Sequence, residues 1–364
     1  MIDAINDKIR GSLIGGAIGD ALGYQIEFQH GITPAEVTRF RDDKGIISDD
    51  TQMTLFTACA LLWRETRLSV RGIAALPHEA IYLGYLDWLG TQQRVAEHTS
   101  VSWIKNIPEL NILRDPGNTC IDALSSGQRG TLGVPINNSK GCGGIMRIAP
   151  ISLSLQTPVV GDFSARSCAI THGHPLAILS AFVLGMIIHY VLYDYSLEKA
   201  INTAIDDMLA WVPEDIDENK KLKKFHYNSE KSELADLLRS TIDLAHSDIP
   251  DQDAIRQLGE GWVAEEALAI AVFCSIRHEN DFESAVIAAV NHDGDSDSTA
   301  SITGNIIGAK LGYEAIPAYF RDHVELKEAI LELSDDLSSG VPLDAHGGCN
   351  DESWLTKYLY VSMQ

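Results

Sequence analysis

The hydrophobic residues of this chain recur at intervals of three and four positions, and sustained alternation of apolar and polar residues is rare. Spacing of this kind is typical of α-helices that bury one face. It predicts an all-α protein, and we expect one domain across residues 1–364. The clearest predicted helices cover residues 51–89, with a polar break near 64–71, and residues 119–124, 259–276 and 282–290.

Glycines four residues apart mark two of the predicted helices, one near each end of the chain. This spacing places each set on a single helix face. Glycine destabilises a helix by about 1 kcal/mol relative to alanine, and close packing of two backbones is the usual compensation. We therefore predict that the two helices pack together. A nucleotide-binding loop is a weaker alternative, because neither common phosphate-loop pattern is present. The glycines are Gly11, Gly15, Gly19 and Gly23, then Gly304, Gly308 and Gly312.

A long apolar segment at residues 175–193 carries no formal charge apart from a neutral histidine. Its length is sufficient for a membrane crossing. Ser180, Gly185, His189 and Tyr190 interrupt the apolar run, and no basic flank follows it. We predict a helix buried on all sides within a large helical core.

Residues 213–258 differ from the rest of the chain, because they begin with a dense run of charged residues and contain few apolar ones. Such a composition is typical of solvated segments. We predict a charged surface insertion that holds short helices.

The overall charge is strongly acidic, with 51 Asp and Glu against 28 Lys and Arg, a formal net charge of −23. This balance argues against nucleic acid and against anionic membrane surfaces as partners. The six cysteines include no CxxC pair, so we expect reduced thiols in a cytoplasmic protein. The acidic N-terminus lacks a signal-peptide pattern, and we expect a monomer.

Three carboxylates and three hydroxyls lie within residues 293–299, just before an apolar helical run. Capping of the helix start explains one such residue. Several carboxylates together repel one another unless a cation neutralises them, and oxygen ligands favour Mg²⁺, Mn²⁺ or Ca²⁺. An EF-hand is excluded, because Ser298 and Gly304 occupy positions that require Gly and Glu.

A second acidic stretch, residues 48–51, also precedes an apolar run. Two acidic helix starts that face each other would hold two metal ions through six side chains. The candidate ligands are Ser48, Asp49, Asp50, Asp295, Asp297 and Ser298.

A glycine-rich run at residues 137–147 is a candidate anion site, because glycines let backbone N–H groups turn toward a phosphate. Lys140 and Arg147 would add positive charge, and a helix beginning at Ile145 would add its dipole. An ordinary turn is the alternative. His172 lies just before the long apolar segment, where contact with a substrate and capping of the helix are both open.

The order and spacing of these motifs resemble the ADP-ribosylglycohydrolase family, which includes ADP-ribosylarginine hydrolases and dinitrogenase-reductase-activating glycohydrolase. The resemblance extends over residues 11–312, which is most of the chain. The motifs are GDALG at 19–23, SDDT at 48–51, GCGGIMR at 141–147, TH at 171–172, GWVAEEA at 261–267 and GDSDST at 294–299.

The resemblance implies a single large orthogonal helical bundle with a binuclear Mg²⁺ or Mn²⁺ site at the six ligands named above. It implies that Gly141, Cys142, Gly143 and Gly144 hold the phosphates of ADP-ribose and that His172 contacts the substrate. Glu27 matches a mobile carboxylate over the site.

The implied reaction is metal-dependent cleavage of the N-glycosidic bond in proteins mono-ADP-ribosylated on arginine. Asp295, Asp297 or Glu27 would act as the catalytic carboxylate. The alternatives are hydrolysis of ADP-ribosyl-serine or another ADP-ribose derivative, and a non-catalytic ADP-ribose-binding or structural protein. Immunity against an ADP-ribosylating toxin is a further hypothesis.

Overall fold

The computed structural model describes residues 2–28, 37–73, 75–92, 100–154, 157–216 and 221–361. Within these residues the chain forms sixteen α-helices and one two-stranded antiparallel hairpin, so the all-α prediction is confirmed. The first eight helices are α1 (Ile2–Gly23), α2 (Asp49–Arg71), α3 (Pro77–Thr91), α4 (Asn118–Ser125), α5 (Ala149–Ser154), α6 (Val159–Ala169), α7 (Pro175–Leu192) and α8 (Leu197–Ala210).

The second half begins with the hairpin and continues with eight helices. Helix α4 of the first half and helices α11 and α12 of the second match predicted positions to within a few residues. The elements are β1 (Glu214–Ile216), β2 (Leu222–Lys224), α9 (Asn228–Ala245), α10 (Asp251–Leu258), α11 (Ala264–Arg277), α12 (Phe282–Val290), α13 (Ser296–Leu311), α14 (Ala318–His323), α15 (Lys327–Ser339) and α16 (Glu352–Tyr358).

Helices α1 and α13 pack directly on each other through their glycine faces, as predicted. A Cβ atom added at Gly15 would collide with the carbonyl oxygen of Gly304, and one added at Gly11 would collide with that of Gly308. Both backbones therefore approach more closely than any side chain permits. This contact brings the end of α1 beside the start of α13.

Helix α7 is surrounded by α5, α6, α8, α9, α11 and α13. Its length and composition satisfy the test for a membrane span, yet 89% of it is buried inside the protein. Ser180 and Gly185 are accommodated inside the core, and the Gly185 backbone lies against Ser164 of α6. The prediction of a helix buried on all sides is confirmed.

The predicted break near residues 64–71 is wrong, because α2 continues to Arg71 and ends at Gly72 with φ of +64°. Thr66 is buried and accepts a hydrogen bond of 2.9 Å from the Trp354 indole N–H. A buried polar side chain with a hydrogen-bond partner does not interrupt a helix, so residues 64–71 belong to α2.

The prediction of short helices in residues 213–258 is also wrong in part. The segment begins with the β1–β2 hairpin, but α9 has 18 residues and packs against α7, α8 and α11. Leu234 and Leu238 on its inner face are fully buried. Apolar side chains spaced one helical turn apart are sufficient to anchor a helix whose other face is charged.

Candidate active site

The starts of α2 and α13 meet in the interior. Ser48 caps α2 by accepting a hydrogen bond of 3.2 Å from the Asp50 N–H, and Asp295 caps α13 by accepting one of 3.3 Å from the Ser298 N–H. The capping interpretation is therefore correct for these two residues. It leaves the remaining carboxylates of both stretches unexplained.

Six carboxylates line one cavity of about 900 Å³; four of them belong to the two helix starts, and the other two are Glu27 and Asp115. Asp49, Asp50, Asp295 and Asp297 are each between 2 and 6% exposed. Glu27, just beyond α1, has a carboxylate oxygen within 4.8 Å of oxygens of Asp295 and Asp297, and it is only half-buried. The structure thus brings together the carboxylates that the sequence singled out.

These carboxylates have no basic partner among the described residues, and the charge of the cluster is unbalanced. Asp50 Oδ2 is buried without any hydrogen-bond donor. Burial, and then repulsion from Asp297, raises the pKa of Asp49 and Asp50, and burial and Asp297 likewise raise the pKa of Glu27 to about 10. Oxygen donors with uncompensated charge suit a hard divalent cation, so the donor set fits the metal hypothesis.

Asp20 supports the cluster from behind and was not identified as a site residue from the sequence. It is fully buried on α1 and accepts hydrogen bonds from the N–H groups of Ser48 and Thr51 and from the Thr51 hydroxyl. Burial, and then Asp297, raises the pKa of Asp20 to about 7. This side chain fixes the start of α2 relative to α1, and its place within the glycine stripe was the available signal.

The glycine-rich loop lines the same cavity, but it differs from the predicted phosphate loop. A 3-10 turn spans Cys142–Gly144, and the next α-helix begins at Ala149 rather than Ile145. The N–H groups of Gly141, Cys142 and Gly144 bond within the protein. Gly143 N–H has no acceptor in the described part of the chain, so one backbone donor of this loop is free.

Neither of the two cationic side chains that were predicted to bind phosphate lines the cavity. Lys140 forms an ion pair with Glu265 of α11. Arg147 is completely buried behind the loop, with its guanidinium 4.3 Å from the centre of the Tyr85 ring. The proposed charge contribution of Lys140 and Arg147 is therefore wrong, because spacing along the chain did not reveal which way each side chain points.

A short turn before α11 connects the two sides of the cavity. Trp262 carbonyl accepts from Cys142 N–H at 3.1 Å, and Glu260 carbonyl accepts from Asp295 N–H at 2.8 Å. The Glu266 carboxylate accepts from the N–H groups of Glu260 and Gly261. The sequence motif around Trp262 thus has a physical role, which is to hold the glycine loop against the start of α13.

Cys142 and His172 complete the wall between these elements. The Cys142 thiol donates a hydrogen bond of 2.6 Å to Asp295 Oδ2. His172 is 2% exposed and lies against the loop, with Nε2 3.3 Å from a Cβ placed on Gly141. The α7 cap is His174, whose ring nitrogen accepts from Leu176 N–H at 3.1 Å. The turn therefore does cap α7, but through His174, and His172 takes no part in the cap.

The metal-free protein is expected to lose stability between about pH 7 and pH 8. Carboxyls with a raised pKa, such as Asp20 and Glu27, hold protons when folded that they release when unfolded, so the free energy of unfolding falls as pH rises through the folded pKa values. The slope is about 1.4 kcal/mol per pH unit for each extra proton. Buried histidines such as His172 and His292, whose pKa is lowered by burial, act in the opposite direction only below about pH 6.5.

Urea unfolding in EDTA at the two pH values measures this slope. Mg²⁺ replaces protons in the cluster, so the stability that it adds should increase with pH. Equal stability of the metal-free protein at both values would contradict the raised pKa of these carboxyls.

Comparison with known proteins gives a consistent result. A family model described as ADP-ribosylglycohydrolase matches residues 1–346. The chain is 27% identical over 345 residues to ADP-ribosylarginine hydrolase Tri1 of Serratia proteamaculans, covering 91% of this chain and 79% of that protein. It is 23% identical over 341 residues to ADP-ribosyl-[dinitrogen reductase] glycohydrolase of Rhodospirillum rubrum, covering 89% and 92%.

Two more distant similarities concern part of the chain and the fold. The chain is 24% identical over 212 residues to ADP-ribosylhydrolase ARH3 of Bos taurus, covering 55% of this chain and 57% of that protein. A solved structure of an ADP-ribosylglycohydrolase-related protein complex has the same fold, with a TM-score of 0.63 and 22% identity over 93% of this chain and 99% of that chain. The chain thus belongs to the ADP-ribosylglycohydrolase family and is a glycohydrolase, as its motifs predict.

Proposed function

We propose that the protein is a metal-dependent hydrolase that removes mono-ADP-ribose from arginine side chains of proteins. The observation that carries the proposal is that six carboxylates and free backbone N–H donors line one cavity. Carboxylates without a countercharge would bind metal, and the donors would bind a diphosphate. A substrate that offers ribose hydroxyls beside a diphosphate satisfies both halves of the site.

Two Mg²⁺ or Mn²⁺ ions would be held by the side chains at the starts of α2 and α13. When bound, they would supply Lewis acidity at the ribose and activate water. Asp20 and the caps of both helices hold the carboxylates in place before any ion arrives. The ligands are Ser48, Asp49, Asp50, Asp295, Asp297 and Ser298.

Among the carboxylates assigned to catalysis, Glu27 is the best placed to transfer a proton. Asp295 already accepts from Ser298 N–H and from the Cys142 thiol, and Asp297 accepts from Ser298 N–H. Glu27 has no hydrogen-bond donor among the described residues, and it is more exposed to the cavity than either aspartate. We assign Glu27 to proton transfer at the attacking water, and Asp295 and Asp297 to holding metal.

The diphosphate would bind at the part of the cavity wall formed by the glycine-rich loop and the start of α4. Gly143 N–H is free there, and helix α4 directs its N-terminus into the same cavity. The N–H groups of Asn118 and Thr119 have no acceptor in the described part of the chain, and a helix N-terminus attracts anions. Gly141, Cys142 and His172 line this part of the cavity, and Gly144 is buried against Cys168 and His172.

An arginine linkage is favoured by the charge of the cavity. Its lining includes no Lys or Arg among the described residues, and the exposed carboxylate of Asp115, which accepts a hydrogen bond from the Tyr24 hydroxyl, adds negative charge. A cationic guanidinium leaving group is attracted to such a cavity. The relative from Serratia proteamaculans, which is named as an ADP-ribosylarginine hydrolase, matches 91% of this chain, whereas bovine ARH3 matches 55%.

The remaining parts of the proposal concern the cellular setting. We place the reaction in the cytoplasm, with a monomeric enzyme, and note that all six cysteines are free thiols. Immunity would be the same reaction on a protein modified by an ADP-ribosylating toxin. To test that narrower role, the enzyme would be incubated with a target protein modified by such a toxin, and release of ADP-ribose would be measured.

The expected result of a substrate panel is release of ADP-ribose from the arginine-linked substrate, with little from the serine-linked or O-acetyl-linked ones. EDTA should abolish turnover, and Mg²⁺ or Mn²⁺ should restore it, because the bound ions would supply the Lewis acidity and activate the water. Full activity in metal-free buffer would remove metal from the proposal. Release from the serine-linked substrate alone would replace the arginine assignment with the serine alternative.

A further inference from the structure

Arg147 occupies an unusual position behind the glycine loop. The guanidinium is completely buried, and no carboxylate lies within 4 Å of it in the described part of the chain. Its contacts are the Thr171 hydroxyl, the sulfur atoms of Met53 and Cys120 at 3.2 and 3.3 Å, and the Tyr85 ring. A buried charge with only neutral partners lowers stability, so its presence calls for an explanation in the site.

The Thr171 hydroxyl connects Arg147 with His172. A guanidinium has only donors, so Thr171 Oγ1 accepts from Arg147 Nη2. The same oxygen lies 2.8 Å from His172 Nδ1. The Thr171 hydroxyl then donates its hydrogen to His172 Nδ1, which acts as the acceptor. The other acceptor nearby is the Cys120 sulfur, which is weak and already receives Arg147 Nη1.

This pairing determines the state of the His172 ring. If Nδ1 accepts, the proton of the neutral ring is on Nε2. Burial, and then the charge of Arg147, lowers the pKa of His172 to about 3, so the ring stays neutral at physiological pH. Nε2 lies beside Gly141 and Gly143 in the cavity wall and has no acceptor among the described residues. It is therefore a donor available to a ligand.

We propose that Arg147 and Thr171 are positioning residues that hold His172 as a neutral Nε2–H donor for the diphosphate of the substrate. This inference rests on the proposed function for the identity of the ligand. Neither Arg147 nor Thr171 touches the substrate in this role, because both act through His172. Arg147, which the sequence placed at the phosphate, acts through Thr171 and the ring instead.

The matched pair Thr171→Val and Thr171→Ser tests the proposal. Valine keeps the shape of threonine and removes the hydroxyl, whereas serine keeps the hydroxyl. ADP-ribose binding, measured by calorimetry with Mg²⁺ present, should weaken about ten-fold in Thr171→Val, which corresponds to about 1.4 kcal/mol. Thr171→Ser should bind within about two-fold of wild type, because it retains the donor to Nδ1.

Two readouts separate positioning from a general loss of structure. Nitrogen-15 NMR of the histidine rings should show His172 protonated at Nε2 in wild type and Thr171→Ser, and a mixture of tautomers in Thr171→Val. Affinity of wild type for ADP-ribose should not increase between about pH 8 and pH 6 through this ring, because a neutral donor needs no further proton.

Protonation of His172 at Nδ1 in wild type, or unchanged ADP-ribose affinity in Thr171→Val, would overturn the inference. These measurements need no turnover. If ADP-ribose binds with the expected pattern but the arginine-linked substrate is not cleaved, the proposed function fails and the positioning role stands. If the substrate is cleaved but Thr171→Val binds normally, only the positioning role fails.

Discussion

Asp297→Asn is expected to lose hydrolysis by about a thousand-fold or more, while its metal-free form melts no lower than metal-free wild type. The side chain lies at the centre of the cluster, beside Glu27 and Asp295, and it raises the pKa of Asp20, Asp49 and Asp50 through its charge. Loss of one carboxylate would displace a cation that stabilises the transition state by several kcal/mol. The same loss relieves repulsion among the remaining carboxylates when no metal is present.

Asp293→Asn is the matched control for this variant. Asp293 belongs to the same acidic stretch, but it is exposed and does not line the cavity. Turnover and metal-free melting temperature should both stay near wild type. If Asp297 served only as a helix-start residue, Asp297→Asn would retain turnover and lose about 1 kcal/mol or less, since asparagine also caps well. That outcome would remove Asp297 from the site.

Gly304→Ala is expected to destabilise the protein by about 3 kcal/mol or more, and to reduce turnover in whatever fraction remains folded. The added methyl group would collide with the carbonyl oxygen of Gly15, and backbone cannot move aside as a flexible side chain can. The two helices would have to separate. The start of α13 would then shift relative to Asp20 and the start of α2.

Gly90→Ala provides the control, because it is the same substitution in a helix, with no atom of the described residues outside the helix within 4 Å of the new methyl group. Alanine favours helix more than glycine does, so this variant should be neutral or more stable by up to about 1 kcal/mol. Chemical denaturation of both variants gives the comparison. Equal stability of the two would show that the close approach of α1 and α13 contributes little.

Much of the site was predictable because charge and glycine spacing act locally. Asp49, Asp50, Asp295 and Asp297 stood out because several carboxylates at a helix start exceed what capping requires. The packing of α1 on α13 followed from glycine spacing alone. These inferences needed only helix periodicity and the cost of uncompensated charge, and the structure shows the expected cluster and contact.

Other parts of the site depended on side-chain direction, which the sequence does not encode locally. Arg147 beside the glycines suggested a phosphate contact, but its position in the structure places it in the core. Asp20 lies within a glycine stripe that was explained by helix packing, so no role in the site was predicted for it, although it fixes the start of α2. The length of α9 was underestimated because charged residues are interspersed with its apolar ones.

The packing of α1 on α13 also has a consequence for how the chain acquires its activity. Asp20 and Asp297 are separated by most of the polypeptide, yet they lie in one cluster. Contacts between segments so distant along the chain form late, because a long loop must close first. During synthesis, every intermediate that lacks α13 has only half of the cluster. The enzyme should therefore become active in a single late event, when α13 docks on α1, and chains interrupted before residue 296 should be inactive however well their earlier helices fold.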